Sequence, residues 1–381
     1  MKTSRFLALI VVAGLFASCT DQDIQMRTTI HRDGTCQRII TFVADSAALV
    51  GSHDSSLTLA QLLSDSGWHK SCFAKGDTAR LPYPMTLEQY GRFKDSHSGK
   101  SASDTFLVCI ERDFGSVEEM GAATVLQPEG VPLMPQTSLT RRFRWFYTYY
   151  TYQETYPVQS QLFVYPLSKF MDDSVASYWF TGEPDLMQGY SPAEKKETYD
   201  LLEEQLDRWL VANYVAAVYD AIVYEGTGEI HDSLSGLSLD ENAYLANLDS
   251  LVNYALDRHF SLGDDIDSLF KSYFGGEVCV PAFASDRVEQ QLERGLNAFM
   301  ELMSLKVDYR LVLPGKIVDV GNGVMEEDAV RYRLTGSRLI PHDYTLTATS
   351  RAVNVWAFVI TVLVIILAVV SLFLSPKRKA D

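Results

Sequence analysis

Positive charge is what this 381-residue chain has least of: 33 Lys and Arg stand against 49 Asp and Glu, a net charge of −16. Nucleic-acid affinity rests on a basic surface that displaces counterions from phosphates, so no nucleic acid is expected as a partner. Cysteine is scarce, with five residues and no Cys-x-x-Cys, which leaves neither a zinc ribbon nor a thioredoxin-type redox pair. The seven histidines show no His-Glu-x-x-His and no paired spacing; a metal site needs three or four ligands brought together, and nothing local begins one. Gly-x-Ser-x-Gly is absent. Gly226-Thr227-Gly228-Glu229 lacks the Lys-Ser/Thr ending of a phosphate loop, and Asp264-Asp265-Ile266-Asp267 lacks the glycine and closing glutamate of a calcium loop. No catalytic residue, cofactor or metal is assigned. With 47% hydrophobic and 22% charged residues, the chain can nevertheless bury a sizeable core.

Long apolar runs occur only at the two ends. Met1-Lys2-Thr3-Ser4-Arg5 is followed by the apolar stretch Phe6 to Phe16 and then Ala17-Ser18-Cys19, the parts of a secretory signal peptide over 1–18. Leu15-Phe16-Ala17-Ser18-Cys19 resembles the lipobox of bacterial lipoproteins, departing from it at Phe16. The resemblance implies that Cys19 is lipidated; the alternative is an ordinary leader with Cys19 a plain thiol. At the other end, Val355 to Leu374 carries no charge, and a transmembrane helix is expected over 353–374. The basic tail 375–381, with Lys377, Arg378 and Lys379, is placed in the cytoplasm by the positive-inside rule. The expected setting is the cytoplasmic (inner) membrane, with an extracytoplasmic body whose two anchors enter the same bilayer.

Between the ends, Ile24 to Ile30 and Cys36 to Val43 flank Asp33-Gly34 and predict a hairpin. A short helix is expected near Leu57 to Leu63. Strand-like runs follow at 104–112 and 139–165, with a helix start at Ser116, where Glu119 stands at N3. From 168 the period changes to 3.6: Ser191-Pro192-Ala193-Glu194 opens a helix that continues to Tyr224, and further helices are expected at 240–260, 264–274 and 285–304. Gly226 to Asp240 reads as a connection. Period two returns at 306–313, 316–320, 328–334 and 343–350. The expected fold is α+β. A β-rich part over 19–167 and a second over 305–351 form one membrane-proximal antiparallel sheet from the N- and C-terminal segments. A helical insertion over 168–304 and one C-terminal transmembrane helix complete it.

Once Cys19 is set apart, Cys36, Cys72, Cys109 and Cys279 allow three pairings. Cys72 and Cys109, each in a strand-like run, are the favoured pair if a disulfide forms, and buried free thiols are the stronger reading. The most unusual composition lies between Arg141 and Tyr165. Arg141, Arg142, Arg144, Trp145, Tyr147 and Tyr149 read as a lipid- or ligand-binding face, with arginines meeting anionic headgroups. The alternative is a strand pair whose aromatics pack the core.

Leu313-Pro314-Gly315-Lys316-Ile317-Val318, then Asp343-Tyr344-Thr345-Leu346-Thr347-Ala348, then an apolar run and a basic tail, resembles the end of LppM-type membrane-anchored lipoproteins. Those also begin with a lipobox and an Asp-Gly hairpin, here Asp33-Gly34. The likeness covers roughly a quarter of the chain, at its ends, and departs from the family in the helical segment 168–304. It implies an α+β, lipid-associated body and no catalytic residues. The expected function is a non-enzymatic envelope component that binds membrane lipid or another envelope protein. The alternative is an envelope hydrolase or glycan-active enzyme using carboxylates gathered from separate segments.

Overall fold

The Asp33-Gly34 turn sets the first hairpin. Gly34 has φ +96°, a conformation that costs glycine little, and Asp33 Oδ1 accepts from the Thr35 amide at 3.0 Å. The turn joins β1 (Asp23–Ile30) to β2 (Cys36–Ala44). The computed structural model describes residues 23–44, 49–50, 58–74, 79–97, 106–128, 131–224, 241–274 and 286–374, with side chains in the last helix as far as Ser371. The expected leader 1–18, Cys19, Cys279, the Gly226–Asp240 connection and the tail 375–381 lie outside the described residues.

After β2 come α1 (Ala60–Ser64), β3 (His69–Ala74), β4 (Leu81–Pro82), α2 (Leu87–His97), β5 (Phe106–Phe114) and α3 (Val117–Ala123). Ser116 caps α3 by accepting from the Glu119 amide at 3.2 Å. Next are β6 (Gln136–Arg144) and β7 (Tyr147–Tyr156), followed by the helices α4 (Asp173–Thr181), α5 (Pro192–Tyr224), α6 (Glu241–Asp257), α7 (Ile266–Phe274) and α8 (Asp286–Ser304). Ser191 and Glu194 close a capping box before α5, with the Ser191 amide donating to Glu194 at 2.8 Å. The chain ends with β8 (Lys306–Val312), β9 (Lys316–Asp319), β10 (Val324–Glu326), β11 (Ala329–Thr335), β12 (Tyr344–Val353) and α9 (Val355–Leu374).

The architecture is mixed α/β, and three particulars correct the expected fold. First, there are two sheets: an eight-stranded one in the order β10-β11-β8-β1-β2-β5-β3-β4, and a four-stranded one in the order β6-β7-β12-β9. Second, β1 pairs with β8 in parallel, from Asp23↔Lys306 to Thr29↔Val312. The helical segment leaves the small sheet at the Tyr156 end and returns the chain at the end where β1 begins, so β8 runs alongside β1 in the same direction. Third, the transmembrane helix is not upheld. Among the described residues no helix is long and apolar enough to cross a membrane.

Alternation faces the sheets toward each other. In β2 the residues from Cys36 to Phe42 at every second position are buried, and in β12 those from Tyr344 to Ala352 are, as one buried face requires. Ile24, Met26, Ile40, Val307 and Leu311 of the large sheet meet Tyr152, Leu346 and Ala348 of the small one. Tyr150 Oη donates to the Arg32 carbonyl at 3.1 Å, so the β1–β2 turn lies beside the α9 end of the small sheet. Asp23, seven residues upstream of Ile30, is therefore about 23 Å away at the opposite end. The chain enters the sheets far from α9.

A second core lies among the helices. Val211, Val215, Val218 and Tyr219 of α5 pack on Leu248, Leu251 and Val252 of α6 and on Leu269 and Phe270 of α7. Trp209 donates from Nε1 to the Tyr165 carbonyl at 2.9 Å, which fixes the connection to α5.

Between the sheets sits a fully buried ion pair. Arg38 Nη2 lies 2.7 Å from Glu154 Oε2, with both side chains at 0% exposure. Tyr152 and Tyr309 donate to the same oxygen at 2.7 and 2.6 Å, and Tyr156 donates to the other at 2.9 Å. Arg38 Nε donates to Thr28 at 3.0 Å. Burial alone raises the Glu154 pKa, but Arg38 and the tyrosine hydroxyls outweigh it and hold the carboxyl below its ordinary 4.5. Because the folded value is depressed, the stability it contributes is present above about pH 4.5 and is lost as pH falls through the folded value. Glu154→Leu is expected to cost about 3–5 kcal/mol in a urea titration, since it leaves Arg38 buried and uncompensated. The pair Arg38→Met with Glu154→Leu is expected to cost less than that single change, and Glu154→Gln to flatten the loss of stability below pH 4.5. A single variant no less stable than the double would refute this.

Candidate functional site

The hairpin β6–β7 turns at Trp145 and Phe146 and pairs Arg142 with Tyr149 and Arg144 with Tyr147. Alternation sorts its aromatics. Tyr150, Tyr152 and Tyr156 are buried and point toward the large sheet, while Tyr147 and Tyr149 stand on the outer face. The core-packing reading of this region therefore holds for Tyr150, Tyr152 and Tyr156, while Tyr147 and Tyr149 are left on the opposite face of the strand.

The outer row continues across the sheet. Tyr149 pairs with Arg351 of β12, and Arg351 pairs with Lys316 of β9, giving Arg142–Tyr149–Arg351–Lys316 over four strands. The neighbouring row is Arg144–Tyr147–Val353. The Arg351 guanidinium lies over the Tyr147 ring, 5.1 Å from its centroid. Some arginines elsewhere have acidic partners, Arg331 with Asp308 at 2.8 Å, Arg310 with Glu326 at 3.6 Å and Arg112 with Glu119 at 3.4 Å, while others, such as Arg27, Arg208 and Arg333, have none among the described residues. Among the described residues, no carboxylate pairs with Arg142, Arg144, Arg351 or Lys316.

Asn354 joins this end of the sheet to α9. Its amide donates to the Phe146 carbonyl at 2.9 Å, and its Nδ2 donates to the carbonyls of Arg144 at 2.9 Å and Trp145 at 3.2 Å. Its Oδ1 accepts from Thr148 at 3.0 Å. Rings close the junction: Phe143 stacks on Trp356 at 6.1 Å, Trp145 meets Trp356 edge-on at 5.4 Å, and Phe146 lies 4.6 Å from Phe358. Trp145 Nε1 donates to Thr361 at 2.9 Å. Beyond this collar α9 exposes apolar side chains on all sides, from Val355 at 64% to Leu367 at 67%.

Of the residues singled out by sequence, Arg142, Arg144, Tyr147 and Tyr149 share the outer face, and Trp145 sits at the turn against α9. Arg141 is on the other face, where its Nη2 donates to the Asp33 carbonyl. Sequence reasoning missed Arg351, Lys316 and Asn354. Asn directly before an apolar helical run is an N-cap signal that could have marked the junction, whereas the pairing of Lys316 with Arg351 has no local signal.

The favoured disulfide is corrected. Cys72 and Cys109 are free and buried. Ser71, not Cys72, pairs with Cys109, so the two thiols point to opposite faces of one sheet. Burial pushes the Cys72 thiol up to about 11 and raises Cys109 as well, which leaves both unreactive at neutral pH.

A cleft of about 740 Å³ opens at the sheet end away from α9, where Lys306, Arg333, Arg338, Tyr344 and Glu183 surround the Asp308–Arg331 pair. Arg331 donates to both Asp308 oxygens, at 2.8 and 2.9 Å, and Glu326 lies between Arg310 at 3.6 Å and Arg331 at 3.8 Å. These carboxylates are engaged with guanidinium groups and do not face each other as an acid-base pair would. Among the described residues no group of three or more His, Cys, Asp or Glu side chains could hold a metal ion.

No family model, no curated protein and no solved structure matches this chain. Asn354→Ala removes three side-chain bonds between hairpin and helix, roughly 2 kcal/mol of local stability at about 0.7 kcal/mol per net bond. Amides of residues 144–148 are expected to exchange about thirtyfold faster by hydrogen-exchange mass spectrometry, with those of β2 unaffected. Unchanged exchange at the turn would refute the clamp.

Proposed function

We propose that the protein is a membrane-tethered, non-enzymatic component whose α9 and hairpin collar sit in contact with lipid while its helical part faces away. One observation carries this reading: a helix apolar on every side is joined, through Asn354 and a cluster of six aromatic rings including Tyr147, to a sheet end that presents tryptophan and arginine. A helix hydrophobic all round requires apolar surroundings, and Trp, Tyr and Arg suit the polar boundary of a lipid layer. The leader read over 1–18 and the lipobox at Cys19 support an extracytoplasmic setting. The likeness of the chain ends to LppM-type lipoproteins agrees with lipid association.

The helical part begins where β7 ends at Tyr156 and returns at Lys306, at the sheet end remote from α9. The lipid contact proposed for the described residues is therefore at the α9 pole. A phospholipid with a carbene-generating group in its acyl chain, photolysed with the full-length protein in membranes, is expected to label α9 and residues 143–146 and to spare α6 and α7. Labelling concentrated on the helical part, or absent from α9, would exclude this function.

A further inference from the structure

We infer that the outward row Arg142–Tyr149–Arg351–Lys316, with Arg144 beside it, is a binding site for the phosphate groups of anionic phospholipids. This deepens the lipid-contact reading and rests on it. Three strands bring four cations to one face through the registers Arg142↔Tyr149↔Arg351↔Lys316 and Arg144↔Tyr147. Like charges on neighbouring positions of a sheet repel, and no described carboxylate lies within ion-pair distance of these four, with Asp319 standing opposite Thr349 on the same face. Other described arginines also lack an acidic partner; what sets this face apart is that strand register gathers four cations on it beside an exposed apolar helix, which makes it complementary to an external anion.

Position identifies that anion. The Arg144 row lies two residues before Val355 and the Arg142 row four, about 7 and 13 Å along an extended strand. Headgroups occupy about 5–8 Å beyond each side of the hydrocarbon. The long arginine stems cover the difference, placing guanidinium groups at the phosphates while α9 meets acyl chains. Arginine also takes a phosphate in two parallel hydrogen bonds, and the Tyr147 ring under Arg351 holds one such group ready.

The test reconstitutes the full-length protein into vesicles in which brominated phosphatidylglycerol or brominated phosphatidylcholine replaces the unbrominated lipid, and reads tryptophan quenching. Trp145 and Trp356 are half exposed at the collar and Trp68 and Trp209 are buried, while the fifth tryptophan, in the partly buried part of α4, is removed by Trp179→Phe in every protein compared. Each cation near an anionic surface contributes on the order of fivefold at low salt, so the anionic lipid is expected to be preferred by about tenfold or more. That preference should fall toward unity in high salt and drop by an order of magnitude in the double variant Arg142→Gln with Arg351→Gln. Lys316→Gln alone, on a different strand, should lower it severalfold. The charge-matched control Arg310→Gln with Arg331→Gln should retain it. Equal quenching by the two lipids in the Trp179→Phe protein, or an undiminished preference in the Arg142 and Arg351 double variant, overturns the phosphate site but leaves lipid contact standing. Quenching by neither lipid would instead remove the lipid contact itself, and the inference with it.

Discussion

The placement of the two sheets depends on one carboxylate. Glu154 enters the interior from β7 of the small sheet, and the groups that stabilise its charge come from both sides: Arg38 and Tyr309 from the large sheet, Tyr152 and Tyr156 from its own strand. A buried charge of this kind is costly unless it is paired and fully hydrogen-bonded. A slip of β7 by one residue would turn Glu154 outward and leave Arg38 without a counter-ion. The pair therefore fixes register more than it adds net stability, and the Arg38 Nη1 group, which has no hydrogen-bond partner, shows that the arrangement is a compromise. Register in β7 decides in turn which of its residues face outward. The row through Tyr149 and Arg351 exists because Glu154 is held inside.

From that anchor the geometry runs to the far end of the sheet without a flexible joint. The strand β12 pairs with β7 over its full length, Tyr344↔Tyr156 to Val353↔Tyr147, and Asn354 is the single residue between β12 and α9. Its side chain bonds the backbone of the β6–β7 turn, so the helix leaves the body in a direction set by the hairpin. Threonine pairs support this sheet from outside, Thr151 with Thr349 at 3.0 Å and Thr155 with Thr345 at 2.9 Å. These β-branched residues suit a pleated surface that faces polar surroundings. An apolar helix joined rigidly to a folded body transmits orientation, which a helix on a loose linker would not.

What could be read from the sequence was local. The Asp33-Gly34 hairpin, the Ser116 and Ser191 caps and the return of period two after Lys306 depend on neighbours a few residues apart, and spacing alone displays them. The crowding of arginine and aromatic residues between Arg141 and Tyr149 was visible for the same reason. What spacing does not contain is strand partnership. The parallel alignment of β1 with β8 joins residues such as Thr28 and Leu311, and the row at the candidate site needs Lys316 beside Arg351 beside Tyr149. Nothing near Cys72 reveals that Ser71 is the residue opposite Cys109, so a disulfide favoured from strand-like runs fails on a shift of one position. The division into two facing sheets follows from Arg38 meeting Glu154 across 116 residues, a long-range pairing that each segment read by itself does not disclose.

Charge gives the molecule a polarity that its composition hides. The net −16 suggests a body repelled by an anionic surface, but screening limits each charge to a reach of about 8–10 Å at ordinary ionic strength. Only the charges within that distance of a surface act on it. At the α9 end these include Arg142, Arg144, Arg351 and Lys316 together with Asp33 and Asp319, whereas α5 carries Glu194, Glu197, Asp200, Glu203, Glu204 and Asp207 near its start. An approach with α9 leading meets attraction at close range, and an approach with the helical part leading meets repulsion. Apolar contact supplies no such discrimination, because burial of hydrocarbon is non-directional. In the proposed lipid contact, the row of cations at the α9 end is the set of charges that would act on an anionic surface at close range.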